Sequence, residues 1–150
     1  QDDVASAEDE RAAKEYGLDD TQVRQMMLSR RGQGRFRSDV LRFWGGRCAV
    51  SGIPDAHFLL ASHIKPWRDS TPTERLDGFN GLLLTPNLDR AFDKGYVSFD
   101  ANGRILISPV MTEDLEAALG IRRDMALRFH DARIEQYLQY HRAEVFIHGD

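Results

Sequence analysis

The chain is short of cysteine. Its 150 residues contain one, Cys48. An internal disulfide is therefore excluded, as is any zinc site built on two or more thiolates. A single thiol also fits a reducing compartment, and a cytoplasmic location is the expectation. Long apolar runs are missing as well. Nothing approaches the roughly 20 residues that a membrane-spanning helix needs. The first ten residues, QDDVASAEDE, are acidic and polar and do not read as a secretory signal. Internal repeats and low-complexity tracts are absent. Position 1 is Gln rather than Met, which fits a piece of a longer protein. What remains is a chain with 41% hydrophobic and 29% charged residues, enough for one domain with its own core.

A net charge of −4 hides an asymmetry. Residues 1–20 hold eight acids against two bases, a balance of −6. Residues 30–47 hold Arg30, Arg31, Arg35, Arg37, Arg42 and Arg47 against Asp39 alone, a balance of +5. A cluster of that sign can neutralise phosphates, whereas the acidic segment repels them. Two oppositely charged solvated faces would give the same count.

Local patterns predict the elements. Residues 4–16 read as a solvated helix ended by Gly17, in a peripheral arm or linker over 1–20. A second helix runs from Thr21, as cap, to Ser29, with Val23, Met26, Met27 and Arg30 on one side. RRGQGR (30–35) reads as a glycine-broken basic loop. A third helix runs from Phe36 to Trp44 and stops at Gly45-Gly46. CAVSG (48–52) reads as a short strand entering a turn. HFLLASHI (57–64) and GLLLTP (81–86) read as strands joined by a long polar loop over 66–79. Thr85-Pro86 marks the start of a helix over 86–94. YVSFDANGRILIS (96–108) is a hairpin turning at Asn102-Gly103. Thr112 and Gly120 bound a further helix. Asp131 caps a last one, where Ile134, Tyr137, Leu138 and His141 share a face.

The centre of the chain places four polar groups together in the pattern. His63 ends one strand, Asn80 precedes the next, and Asp89 and Asp93 lie four apart on one helical face. A neutral imidazole can take a proton from water near pH 7, and paired carboxylates are ligands for a hard divalent cation. Each residue also has an ordinary reading: a packed histidine, a turn asparagine, and solvated acids neighbouring Arg90 and Lys94. Spacing alone does not choose between them.

The words along the chain carry more. RRGQGRFR, then WGGRCAVSG, LLASHIKPW, NGLLLTPNLDRAFDKG, YVSFDANGRILIS and YLQYHRAEVF occur in an order that resembles the HNH endonuclease family. The branch they most resemble comprises the C-terminal nuclease domains of bacterial restriction and related defence proteins. The likeness covers about 30–147, and its specific centre is 61–95. It implies an α+β fold: a ββα-metal core with an extra β-hairpin, flanked by N- and C-terminal helices, in a nuclease domain over 21–150. It implies metal-dependent cleavage of DNA phosphodiester bonds, with Mg²⁺ or Mn²⁺ as the expected ion. Carried over by position, His63 matches the general base and Asn80 the residue that orients it. Asp89 matches the helical metal ligand. The position before the base, often a metal-binding Asp, His or Glu in the family, is Ser62 here, so Asp93 becomes the candidate second ligand, with anchoring of the helix end as its other reading. The family's paired C-x-x-C zinc staples are missing.

Arg30, Arg31, Arg35 and Arg37, with Lys65 and Arg68, are the expected DNA contacts, joined by Arg75 in the long loop. Trp67 reads as a lid or a stacking surface. No segment reads as a base-reading element, so specificity would belong to a separate domain of a longer chain. Double-strand cleavage needs two sites or two visits, which makes a homodimer one expected assembly. Two other functions fit the same words: a catalytically weak DNA-binding module of this fold, and an RNA-directed nuclease.

Overall fold

The computed structural model describes residues 11, 15, 17 and 19–149; for residues 25–27, 29 and 30 it describes the backbone alone. The expected helix over 4–16 and the acidic arm lie largely outside the described residues, as do the side chains of Met26, Met27 and Arg30.

The first element is one long helix, α1, Asp20–Trp44. It replaces the expected pair of helices and the loop between them, and it corrects the cap from Thr21 to Asp19. The Asp19 carboxylate accepts from the Gln22 amide at 2.8 Å, while Gln22 Oε1 accepts from the Asp19 amide at 3.0 Å. Gly32 and Gly34 each cost about 1 kcal/mol relative to alanine in a helix interior. Phe36, Val40 and Trp44, spaced four apart and all but inaccessible, outweigh that cost by packing on the core. Gly45, at φ +68°, ends the helix in the left-handed region.

CAVSG is a turn rather than a strand. Cys48 is fully buried, and its Sγ accepts the amides of Val50 and Ser51 at 3.4 and 3.3 Å. The Ala49 amide alone reaches the neighbouring strand, at Leu83 O, 2.7 Å.

The strands β1, Leu60–His63, and β2, Gly81–Leu84, pair antiparallel, with Ser62 opposite Leu82 and His63 opposite Gly81. The expected loop between them is largely ordered by turns. It contains 3-10 turns at Trp67–Asp69 and Gly78–Asn80 and a short helix α2, Pro72–Leu76, capped by Thr71 and Glu74. All four residues of β2 are buried, because α1 covers one face of the hairpin. The approach is closest at Gly81, where an added Cβ would lie 2.4 Å from Val40 Cγ2 and 2.8 Å from Phe36 Cζ. Trp44 Nε1 donates to the Gly81 carbonyl at 3.0 Å.

Helix α3, Pro86–Asp93, packs on the hairpin through buried Leu88, Ala91 and Phe92. Thr85 occupies its cap position, but its hydroxyl donates to Asn87 Oδ1 at 2.7 Å instead of accepting from a helix amide. A second hairpin follows, β3, Val97–Phe99, with β4, Ile105–Ile107. Its connection is a five-residue loop, not the two-residue Asn-Gly turn expected. The Asp100 carboxylate accepts the amides of Asn102 and Arg104, and Gly103 alone takes positive φ. Helix α4, Glu113–Leu119, and helix α5, Ala132–Tyr140, start at Thr112 and Asp131 as expected. Ile134, Tyr137, Leu138 and His141 are buried together. The whole is the expected α+β arrangement, with a β-hairpin and crossing helix at the centre, an extra hairpin and flanking helices. Among the described residues, no helix is long and apolar enough to cross a membrane.

Candidate active site

Successive residues of a strand face opposite ways. Near its end, β1 turns Ser62 toward α3 and His63 toward α1. Ser62 is buried, and its hydroxyl lies near enough to the Asp89 carboxylate to pull that group's pKa down. His63 lies flat on Phe36 of α1, centroids 3.7 Å apart and planes within 6°. The Trp67 ring presents an edge-type contact to the same imidazole at 5.9 Å.

His63 Nε2 lies 2.9 Å from the Arg75 carbonyl. A carbonyl only accepts, so Nε2 carries the hydrogen and the neutral ring keeps its lone pair on Nδ1. Burial holds the imidazole below the usual histidine range. The Arg75 carbonyl opposes that shift, and the Arg75 charge adds to it. The imidazole is thus biased toward the form that can accept a proton.

Asn80 is completely buried and does not touch the imidazole. It ties the loop instead. Its Oδ1 accepts the Lys65 amide at 2.8 Å, and its Nδ2 donates to the Glu74 carbonyl at 3.0 Å and to Ser70 Oγ at 3.5 Å. The carbonyl that holds His63 belongs to the next residue, Arg75. The Arg75 side chain secures the same loop, with Nε donating to the Trp67 carbonyl at 2.9 Å and the guanidinium 4.3 Å from the indole centroid. Sequence reasoning placed Arg75 among the DNA contacts. The supporting roles of Phe36 and of the Arg75 carbonyl have no sequence signature, since one arises from helix packing and the other from main chain.

His63, Asp89 and Asp93 line one open pocket of about 470 Å³, with Ser62, Trp67 and Arg68 on its walls. Asp89 is half buried and Asp93 exposed. Burial raises the Asp89 carboxyl above the usual aspartate value and the Asp93 charge adds to this, while Ser62 and Arg90 pull it down. Two like charges in one pocket favour a cation between or beside them. Among the described residues no group of three or more His, Cys, Asp and Glu side chains converges as a metal cage. The donor set is a carboxylate pair. Mg²⁺ takes one or two protein carboxylates and completes its shell with water and phosphate, so the pair fits such an ion.

The basic residues divide. Arg31 and Arg35 are exposed on α1, and Arg68 is exposed at the pocket. Arg37 donates to the carbonyls of Leu59 and Ala56 at 3.2 and 3.3 Å and so braces the entry to β1. Lys65 is held by Glu74 at 3.0 Å and lies over the Tyr140 ring, which leaves its ammonium little freedom to follow a phosphate.

No curated protein matches the chain. A solved structure described as a modification-dependent TagI restriction endonuclease aligns over 71% of this chain and 36% of its own, at 22% identity and a TM-score of 0.48. The chain thus spans about a third of that protein's length. Residues 48–100 match the family model described as HNH endonuclease. That interval contains both strands, the loop and the helix that build the pocket, and the chain carries the HNH endonuclease signature across it.

Proposed function

We propose that this chain is a metal-dependent endonuclease that hydrolyses DNA phosphodiester bonds, as the nuclease part of a bacterial restriction or defence protein. The observation that carries the reading is the His63 ring. Its Nε2–H is occupied by a carbonyl, while the ring shares an open pocket with two carboxylates. In this scheme Nδ1 of His63 takes the proton from a water attacking phosphorus in line. Asn80 is a positioning residue, since it fixes the loop that presents the Arg75 carbonyl. Asp89 and Asp93 would hold a divalent ion such as Mg²⁺ or Mn²⁺, which when bound supplies positive charge to the scissile phosphate and the departing 3′ oxygen. Arg68, Arg31 and Arg35 supply cationic surface for the strand. The nuclease domain is assigned to 21–150, the acidic segment 1–20 to its periphery, and sequence recognition to another domain.

Supercoiled plasmid is the test. The protein is expected to nick it with Mg²⁺ or Mn²⁺ and to stop in EDTA, and His63→Ala is expected to bind DNA while cutting about 10²–10⁴ times more slowly. Cleavage in chelator, or parent-like cleavage by His63→Ala, overturns the scheme. Ser62, where a third acidic ligand would stand, favours a second reading as a DNA-binding module with weak catalysis. Binding without nicking under every divalent ion would select that reading, and preferential cutting of RNA over plasmid would move the substrate assignment.

A further inference from the structure

Helix α1 runs through two glycines, and Gly32 has a reason within the fold. A Cβ there would come within 3.2 Å of Leu76 Cδ2 on α2. Gly34 faces elsewhere. It lines an open groove of about 320 Å³ together with Gln33, Phe36, Arg37, Leu60 and Ala61. A glycine in a helix interior is destabilising relative to alanine, and one kept beside an open groove allows close approach of another backbone.

The groove adjoins the candidate active site. Ala61 lines both hollows, and Phe36, whose ring supports His63, is also a wall of the groove. Among the described residues its lining contains no acid, and Arg37, braced on the Leu59 and Ala56 carbonyls, stands in it with Arg31 and Arg35 exposed on the same helix. Leu60 is 43% exposed and presents an apolar wall.

Resting on the nuclease reading above, we infer that this groove is a second DNA subsite, which takes the sugar–phosphate stretch next to the phosphate held at His63. The apolar walls of Leu60, Ala61 and Phe36 suit a deoxyribose. The Gln33 carboxamide supplies a donor for a phosphate oxygen, the exposed Arg31 and Arg35 of the same helix supply positive charge, and the bare backbone at Gly34 lets the strand lie close to the helix. Positive charge and the wall shared with the candidate phosphate pocket at Ala61 favour a nucleic-acid strand over a protein partner. The basic glycine-containing word RRGQGRFR thereby gains a function that neither its charge nor a loop would give it.

The test compares the full chain with Gly34→Ala, Gly34→Leu and Leu60→Glu, measuring thermal midpoint, plasmid cleavage and, in a His63→Ala background, duplex affinity. Gly34→Ala is expected to raise the thermal midpoint by about 2–4 °C. Gly34→Leu fills the groove and Leu60→Glu places a carboxylate in it. Each is expected to weaken duplex binding about tenfold and to slow cleavage of dilute plasmid in proportion, with the Mn²⁺ dependence unchanged. Leu60 is already partly exposed, so its variant keeps the test valid where Gly34→Leu disturbs the helix. Parent-like affinity and cleavage in a folded Leu60→Glu overturn the subsite while leaving the nuclease intact. A parent protein that neither binds nor cuts DNA overturns the nuclease reading itself.

Discussion

Phe36 and His63 lie face to face, 3.7 Å apart and within 6° of parallel, and the contact joins the long first helix to the end of the strand that carries the candidate base. A second such pair exists. His141 stacks on Phe92 of α3 at 3.7 Å and 3°. The two imidazoles differ in what their nitrogens do. His141 spends both, Nε2–H on the Phe92 carbonyl at 2.9 Å and Nδ1 on the Ser98 hydroxyl at 2.8 Å. His63 spends Nε2 on a carbonyl and opens to a pocket beside carboxylates. The first is a rivet behind the site helix, and the second keeps one nitrogen without a hydrogen-bond partner among the described residues, beside the pocket, as the proposed base requires.

Burial on Phe36 lowers the His63 pKa, so the ring stays neutral to a pH below the ordinary 6.5. Proton abstraction needs the neutral form. The acid limb of kcat/KM is therefore expected to have its midpoint below 6.5 and a plateau at neutral pH. Phe36→Leu removes the stacked ring and lets water closer. Its acid limb should move up toward the ordinary histidine value, with a rate loss at the plateau. A limb that does not move in that variant would mean that Phe36 serves packing alone.

Asp89 is half buried beside Ser62, whereas Asp93 is exposed at the pocket's edge. Asp89→Asn is accordingly expected to cost more activity than Asp93→Asn, and both should need more Mn²⁺ for half-maximal cleavage. Ser62→Asp adds a third carboxylate to the pocket beside Asp89. Mn²⁺ binding measured by calorimetry should then tighten by about tenfold, since affinity of such sites rises with ligand charge. The metal-free variant should be less stable, because three like charges share a half-buried place.

Asn80→Ala strands the Lys65 amide, while the Glu74 carbonyl loses one of its two donors and keeps the Asp77 amide at 3.3 Å. Each unsatisfied buried group costs about 1–3 kcal/mol. Urea unfolding should show a loss in that range or somewhat above it. Under conditions where the variant is still folded, cleavage should fall further than His63 chemistry alone would require, because the Arg75 carbonyl is no longer held. Parent-like turnover in folded Asn80→Ala would remove it from the positioning scheme.

The parts legible from sequence were those set by short-range rules. The hairpin strands, the Pro86 helix start and the caps at Thr112 and Asp131 follow from residue type at one position. The grouping of His63, Asp89 and Asp93 followed from the order of words, and all three line one pocket. Local rules misled where tertiary packing outweighed them. Gly32 and Gly34 signalled a loop, yet Phe36, Val40 and Trp44 bury enough surface to carry the helix through both. Charge alone did not reveal that Lys65 is paired with Glu74, nine positions away. The partner of His63 is a main-chain carbonyl, which side-chain patterns do not encode.

His141 provides a stability test from outside the pocket, on a ring that stacks on the site helix and feels the Asp93 charge. Burial is the first cause of its lowered pKa, which falls to about 4, against 6.5 for an exposed histidine. Between those values the unfolded chain binds a proton that the folded chain refuses, so stability rises with pH through this window and is lost on acidification. A shift of that size corresponds to about 3 kcal/mol at full expression. His63, also lowered, contributes in the same direction, so the measurement must separate the two. Urea denaturation from pH 7 to pH 4 should show a steeper loss for the parent than for His141→Gln. Glutamine can keep one of the two hydrogen bonds without titrating, and it should start less stable at pH 7. His63→Gln should remove only a minor part of the slope. Equal slopes for parent and His141→Gln would mean that acid instability originates in the carboxylates, and that the buried ring gains its proton without unfolding.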